Sequence, residues 1–399
     1  MSRLVSASNP ESGYTCYTYD ADGNVGTRTF GASACPAAGS GVTTTYTYDA
    51  LDQLTGKTCS DGTTPAVSLS YFQADWLHTV TVTGGTVTQK GYDGLGRITS
   101  SSQTPSGGSA YSFSSYGYNR ADEVTSMTMP SGRVMTTTYD PYGRASELQG
   151  SLSGVNTTYL SSPAYAPHGA MISDTLGKGL YETTGFNNQL QASSMMPGTT
   201  AGSGNVWSLS NLYLSPNNNG NVPGQSLTVP GASGISTAYN YDGANRLAKA
   251  MENAGTPGAS TYAGTGSEWC RFFGYASGGN GNRAVTSNSG QGLPLNEPAG
   301  FNTNNRITDA GWGYDGRGNV NQEPSGPTFA YDAENRQVAY CPSDASPSTC
   351  TQTAGNSRTL YYYDGEGHRV ESSGPGGTTT FSAKFGPEIE VGPVKAEGQ

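Results

Sequence analysis

The side chains with most chemical potential in this chain are its carboxylates, and they recur in one setting. An aspartate or asparagine follows an aromatic residue and stands three places before a glycine, asparagine or aspartate. The first such cluster, Asp20, Asp22, Gly23 and Asn24, has the alternating oxygens that open a calcium loop. An EF-hand needs a glutamate near its twelfth position, where Thr29, Phe30 and Gly31 stand, so a hydrogen-bonded turn explains these residues better than a cation. Hydrolysis needs one converging carboxylate pair, or a nucleophile beside a base. Here the acids are dealt evenly, one per motif, whereas a catalytic centre makes one copy unlike the rest. No catalytic residue is expected. Only three histidines occur (His78, His168, His368), and none of the six cysteines forms a CxxC pair, so neither a metal site nor a cofactor is expected. Cys16 with Cys35, and Cys341 with Cys350, are placed for local disulfides, with free thiols the open alternative.

The setting is a repeat: aromatic, Asp or Asn, two variable residues, Gly/Asn/Asp, a polar residue often Arg, then an aliphatic. Copies are YDADGNV from Tyr19, YDALDQL from Tyr48, YDGLGRI from Tyr92, YNRADEV from Tyr118, YDPYGRA from Tyr139, YDGANRL from Tyr241, FNTNNRI from Phe301 and YDGRGNV from Tyr314. YDAENRQV from Tyr331 and YDGEGHRV from Tyr363 place the aliphatic one residue late, and degenerate copies start at Tyr71 and Tyr165. Weaker traces surround Phe186, Tyr213 and Tyr275. From Tyr48 to Tyr165 the starts lie 23, 21, 26, 21 and 26 residues apart, too close to hold a helix in each unit.

The fifth place decides the geometry. It holds Gly23, Asp52, Asp75, Gly96, Asp122, Gly143, Gly169, Asn245, Asn305, Gly318, Asn335 and Gly367, all of types that tolerate φ > 0. A type I turn followed by a left-handed residue in a G1 bulge closes a hairpin with this pattern. The second-place residues Asp20, Asp49, Asp93, Asn119, Asp140, Asp242, Asn302, Asp315, Asp332 and Asp364 can accept the amide two residues on and lock it. The aromatics that open the motifs would pack between units. Segments 43–48 and 360–363, rich in Thr and Tyr, are strand formers, and Pro/Gly/Ser stretches such as 103–108 return the chain. Sixth-place Arg97, Arg144, Arg246, Arg306 and Arg336 either ladder with second-place carboxylates of adjacent units or stay solvated.

Composition agrees. With 57 glycines, 26 tyrosines and 34% apolar residues in 399, the chain lacks material for thick cores, and thin all-β hairpins sharing a buried tyrosine layer are expected. A long array of them should coil into a curved or spiral ribbon. The net charge of -10, without a basic stripe, argues against nucleic acid. No apolar run reaches the ~20 residues of a membrane span, and Met1 does not open a signal peptide.

These motifs resemble the YD-repeat family, also called Rhs repeats, of bacterial polymorphic toxins, insecticidal toxin complex B and C subunits, and teneurins. The likeness runs over 1–390, is weaker from about 181 to 235, and leaves 391–399 as a tail towards a core or effector region. The resemblance implies a hollow β-sheet shell, secreted or at the cell surface. Its partner would be a toxin or effector polypeptide, or the rest of a larger shell. The family's self-cleavage mark Asp-Pro-x-Gly-Leu is not matched, since Asp140-Pro141-Tyr142-Gly143 is followed by Arg144, and the chain reads as part of a longer shell. The alternative is an adhesion ribbon in which Trp76, Trp207, Trp269 and Trp312 stack on carbohydrate.

Overall fold

The computed structural model describes residues 3–36, 41–73, 75–214, 218–252, 269–275, 281–289, 300–342, 346–351 and 357–380. The tail at 391–399 lies outside them. The chain is all-β, and the only helix among the described residues is the 3-10 turn Pro347–Thr349. It divides into two compact units, one of Met1–Tyr116 with Phe301–Gln399, the other of Gly117–Gly300.

The first unit contains two antiparallel ladders. One runs from strand Ser6–Asn9 to the strand beginning at Tyr111, and the other from Gly313–Tyr314 to Gly377–Thr380. In each, every strand pairs with its sequence neighbours, as Val42–Tyr48 does with Val25–Ala32 and Leu54–Cys59. The second unit repeats this meander from Val124–Thr128 to Arg283–Ser289. Sequential hairpins explain the order, since a short turn can only return the chain beside the strand it left.

The register carries the mark of the turn. Thr47 pairs with Gly56 but Tyr48 with Leu54, so one extra residue enters the second strand just after the corner. The same shift precedes Tyr19, Tyr71, Tyr92, Tyr139, Tyr241, Tyr314, Tyr331 and Tyr363. A bulge at each of these motifs adds right-handed twist to the ladder.

The cores are small, as the composition requires. Val67, Val80 and Val82 form one in the first unit, with Leu69 and Leu77 against them. Ala339, Cys341, Cys350 and Leu360 form another, and Ala238, Met251 and Cys270 one in the second unit. Thr44, Thr88, Ser101, Gln103 and Thr328 are buried too, so the ladder faces are partly polar. Disulfides Cys16–Cys35 and Cys341–Cys350 are formed, closing loops of a size that stabilises a small β-structure by about 3 kcal/mol each. Cys59 and Cys270 take part in neither disulfide.

Candidate functional site

The repeated corner is the site the sequence singles out, and its backbone is uniform. All twelve fifth-place residues have φ between 54° and 105°. In a typical copy the amide of Asp49 donates to the carbonyl of Gln53 at 3.0 Å, and the amide of Asp52 to the carbonyl of Asp49 at 3.2 Å. Phe72 and Ala166, which replace the acid in the degenerate copies, make the same two bonds. The carboxylate is therefore a brace on a turn that backbone bonds already close.

That brace takes two amides. Oδ1 of Asp93 accepts from Leu95 and Arg97 at 2.8 and 3.0 Å, and Asp49, Asn119, Asp140, Asp242, Asn302, Asp315, Asp332 and Asp364 do likewise. Asp20 accepts from Gly23 and Asn24 instead. The remaining oxygen takes the sixth-place side chain of its own unit. Arg97, Arg144, Arg246 and Arg336 each bond Asp93, Asp140, Asp242 and Asp332 at 2.6–2.7 Å through Nε. In these four copies the carboxylate thus takes the arginine of its own unit, because the i,i+4 partner across the turn is near. Arg306, whose second-place neighbour is the neutral Asn302, donates to the carbonyl of Glu11 instead.

These bonds set the acidities. For Asp140 the Arg144 guanidinium leads, and for Asp242 the Arg246 amide, in holding the carboxyl below its usual value. Burial would raise Asp93 and Asp20, but the bonds they accept outweigh it. A depressed folded pKa gives stability that is present above the ordinary carboxylate range and lost as pH falls through the lower folded value.

The opening aromatics Tyr19, Tyr48, Tyr92, Tyr118, Tyr139, Tyr241, Phe301, Tyr314, Tyr331 and Tyr363 are all half-buried, not the fully buried layer expected. In several copies a bond invisible in the motif accounts for this, since the hydroxyl reaches back to the carbonyl of the seventh-place residue one unit earlier. Tyr48 donates to Val25, Tyr71 to Leu54, Tyr92 to Leu77, Tyr139 to Val124, Tyr165 to Ala145, Tyr275 to Leu247 and Tyr363 to Gln337, at 2.6–3.1 Å. The intervening arginine covers the ring. Arg144 lies 4.5 Å from the Tyr165 centroid, Arg246 4.1 Å from Tyr275 and Arg336 5.0 Å from Tyr363. Acid, guanidinium and the next tyrosine form one stack. Tyr139→Phe is expected to lower unfolding stability by about 1 kcal/mol in urea titration, the value of one hydrogen bond; an unchanged midpoint would mean that the Val124 carbonyl gains nothing from it.

The sixth-place side chain also crosses to the next corner. Asn24 donates to Asp52 at 2.7 Å and Gln53 to Asp75 at 2.9 Å. At two glycine corners the preceding sixth-place group lies over the corner itself: a Cβ on Gly96 would meet the Trp76 indole at 3.0 Å, and one on Gly143 the Glu123 carboxylate at 2.6 Å.

Two features escape the motif. The trace at Phe186 is a full corner, with Asn187 bonded to Gln191 and Leu190 at φ 63°, outside the Gly/Asn/Asp pattern. In the first unit, the corners of the second ladder press onto the first ladder. Asp364 is 1% exposed and Asp332 5%. Lys57 pairs with Glu334 at 2.6 Å and Lys90 with Glu366 at 2.9 Å, the Ala333 amide donates to Thr64, and Gly365 sits against Val67 and Val80. Asp364, Glu366 and His368 have their donor atoms within 4.8 Å of one another, but Gln103, Lys90 and the turn amides already engage the two acids.

One carboxylate is misplaced. In the second unit Asp174 is 7% exposed, stands directly across from Glu182, and leaves Oδ1 without a hydrogen bond. Burial, and then the Glu182 charge, raise its pKa. A raised folded pKa costs stability at neutral pH, and the cost fades as pH falls through that value. Asp174→Asn is expected to raise stability at pH 7 by roughly 0.2–1 kcal/mol, the range of a like-charge pair across strands, with the gain shrinking on acidification. A loss at pH 7 would contradict this reading.

With the corner and its couplings defined, the chain can be set beside known proteins. The family model "RHS Repeat" matches residues 38–64, which span the Tyr48 corner and its flanking strands. That stretch is an Rhs repeat, and its corner recurs along the chain. This repeat protein shares its fold with a solved complex of TcdB2, TccC3 and Cdc42, at a TM-score of 0.72 and 15% identity over 93% of its length. The Photorhabdus luminescens Tc holotoxin pore matches at 0.71 and 14% over 95%, and TcdB2–TccC3 without its hypervariable C-terminal region at 0.71 and 13% over 95%. The chain spans 20% of the length of each. No curated protein sequence matches it.

Proposed function

We propose that this Rhs-repeat chain is a wall segment of a hollow shell that encloses or presents a toxin or effector polypeptide, acts outside the producing cell, and is not catalytic itself. The observation that carries the reading is fold likeness over 93–95% of the chain to toxin-complex proteins about five times longer. The chemistry of the corners supports it. Their carboxylates are engaged by amides and guanidinium groups in copy after copy, which suits a wall built from one repeated joint. Residues 1–390 act in this reading as one repeat array. The four tryptophans proposed for sugar stacking are all half-buried, and Trp76 packs on Tyr92, which favours the wall over the adhesion ribbon.

The test is guest protection in the full-length protein. Co-expressed with the polypeptide encoded directly downstream, the shell should co-purify with it and shield it from protease until the shell is denatured. A guest digested equally fast with and without the repeats would end the proposal. Saturable glycan binding lost on Trp→Ala substitution would replace it with the adhesion reading.

A further inference from the structure

In the first unit a cavity of about 410 Å3 lies between the two ladders, walled by Pro65, Val67 and Val82 of one and Val338, Tyr362 and Glu371 of the other. That is the size of a small-molecule pocket. Three further charged groups reach it, and each is already engaged. Asp332 takes the Glu334 and Arg336 amides and the Arg336 guanidinium. Asp364 takes the Glu366 and His368 amides and the Gln103 side chain. Arg336 is shared between Asp332 and Glu334. Glu371 differs: among the described residues its carboxylate has neither a hydrogen bond nor an ionic partner.

We propose that this cavity binds an aliphatic ammonium ion, with Glu371 as its counter-ion and the valines around its alkyl stem. The charge selects the class. Asp332, Asp364 and Glu371 outnumber the one guanidinium and repel anions. A hard divalent cation needs six or more oxygen ligands, and only one carboxylate here is uncommitted. An ammonium group needs a single carboxylate and an apolar slot for its stem. Tyr362, opposite Glu371 in the strand register, adds an aromatic surface of the kind that attracts organic cations. Burial raises the pKa of Glu371, the direction expected of a carboxyl that lacks its partner cation. The ammonium ion can be a free alkylamine or a lysine side chain of an enclosed polypeptide; the second source rests on the shell reading, the first does not.

Isothermal titration calorimetry of the intact protein with n-butylammonium chloride at neutral pH is expected to show saturable one-site binding. Sodium butyrate, with the opposite charge on a similar stem, should give none. Glu371→Gln should weaken binding at least ~10-fold, the loss of one charge-assisted contact. Val82→Trp, which fills the cavity from the other ladder, should abolish it. Should either variant fail to fold, wild-type affinity must still fall on acidification as Glu371 takes up its proton. N-acetyl-lysine methylamide separates the sources: binding of both probes admits a lysine side chain, and binding of butylammonium alone confines the site to free amines. No binding of butylammonium to the wild type, or equal affinity in Glu371→Gln, overturns the proposal. Neither probe involves a guest protein, so that failure would leave the shell reading standing.

Discussion

Asp364→Ala is expected to destabilise the first unit by about 3 kcal/mol, because it removes a buried acceptor from the buried Gln103 side chain and from two part-buried amides. The amides of Glu366 and His368 bond Asp364 at 3.0 and 2.9 Å, and Gln103 reaches it from the opposite ladder at 3.5 Å. The same deletion at Asp93 removes an equivalent pair of amide bonds from a half-exposed corner, where water takes over, and should cost only about 1 kcal/mol. Urea unfolding of the two variants reads the difference directly. Equal losses would mean that pressing the Tyr363 corner onto the first ladder adds nothing. Asp364→Asn, which keeps an acceptor, should fall between wild type and alanine.

Gly318→Val is the second large effect. Gly318 turns the corner at φ 90°, and a Cβ there would meet the Glu11 carbonyl oxygen at 2.6 Å. A β-branched residue therefore bears both left-handed strain and a collision with main chain that cannot swing aside, for a combined cost of roughly 2–5 kcal/mol. Gly316, two residues earlier in the same corner, has nothing within 4 Å of its Cβ position and no positive φ. Gly316→Val should change stability by no more than about 1 kcal/mol. Thermal unfolding of the pair isolates the corner from glycine loss in general. A comparable drop in both would remove the special status of the fifth place.

How far the sequence speaks differs between levels. The all-β hairpin array is readable because it depends on types that few residues can replace: a left-handed corner at Asp52 or Gly96 and a β-former such as Tyr48 or Tyr92 before it. Leu190 marks the limit of that logic. Its left-handed backbone is held by Asn187 and Gln191 on either side, so the neighbours enforce what the residue itself disfavours. The couplings between units are a different kind of information. A tyrosine hydroxyl that reaches the carbonyl of Val124 engages main chain, which every residue supplies, so no letter in the earlier repeat records it. The pairing of Arg97 with Asp93 in its own unit depends on the turn between them, which sets distances that spacing alone does not give. Burial of Asp332 and Asp364 is hidden for the same reason. Their motifs match those of exposed corners, and only the placement of the second ladder on the first separates them.

The reach of several sixth-place side chains over the following corner makes the order of those hairpins matter. Trp76 is accommodated because a glycine comes next, and Gln53 is satisfied because an aspartate does. Exchange those two successors, and an indole would be driven into a carboxylate while an amide hung over bare backbone. Copies that look interchangeable on paper are thus fitted to one downstream neighbour, like courses of brick cut to the course above. Gene rearrangements that shuffle whole hairpins should survive only at junctions where the incoming corner suits the side chain already leaning towards it.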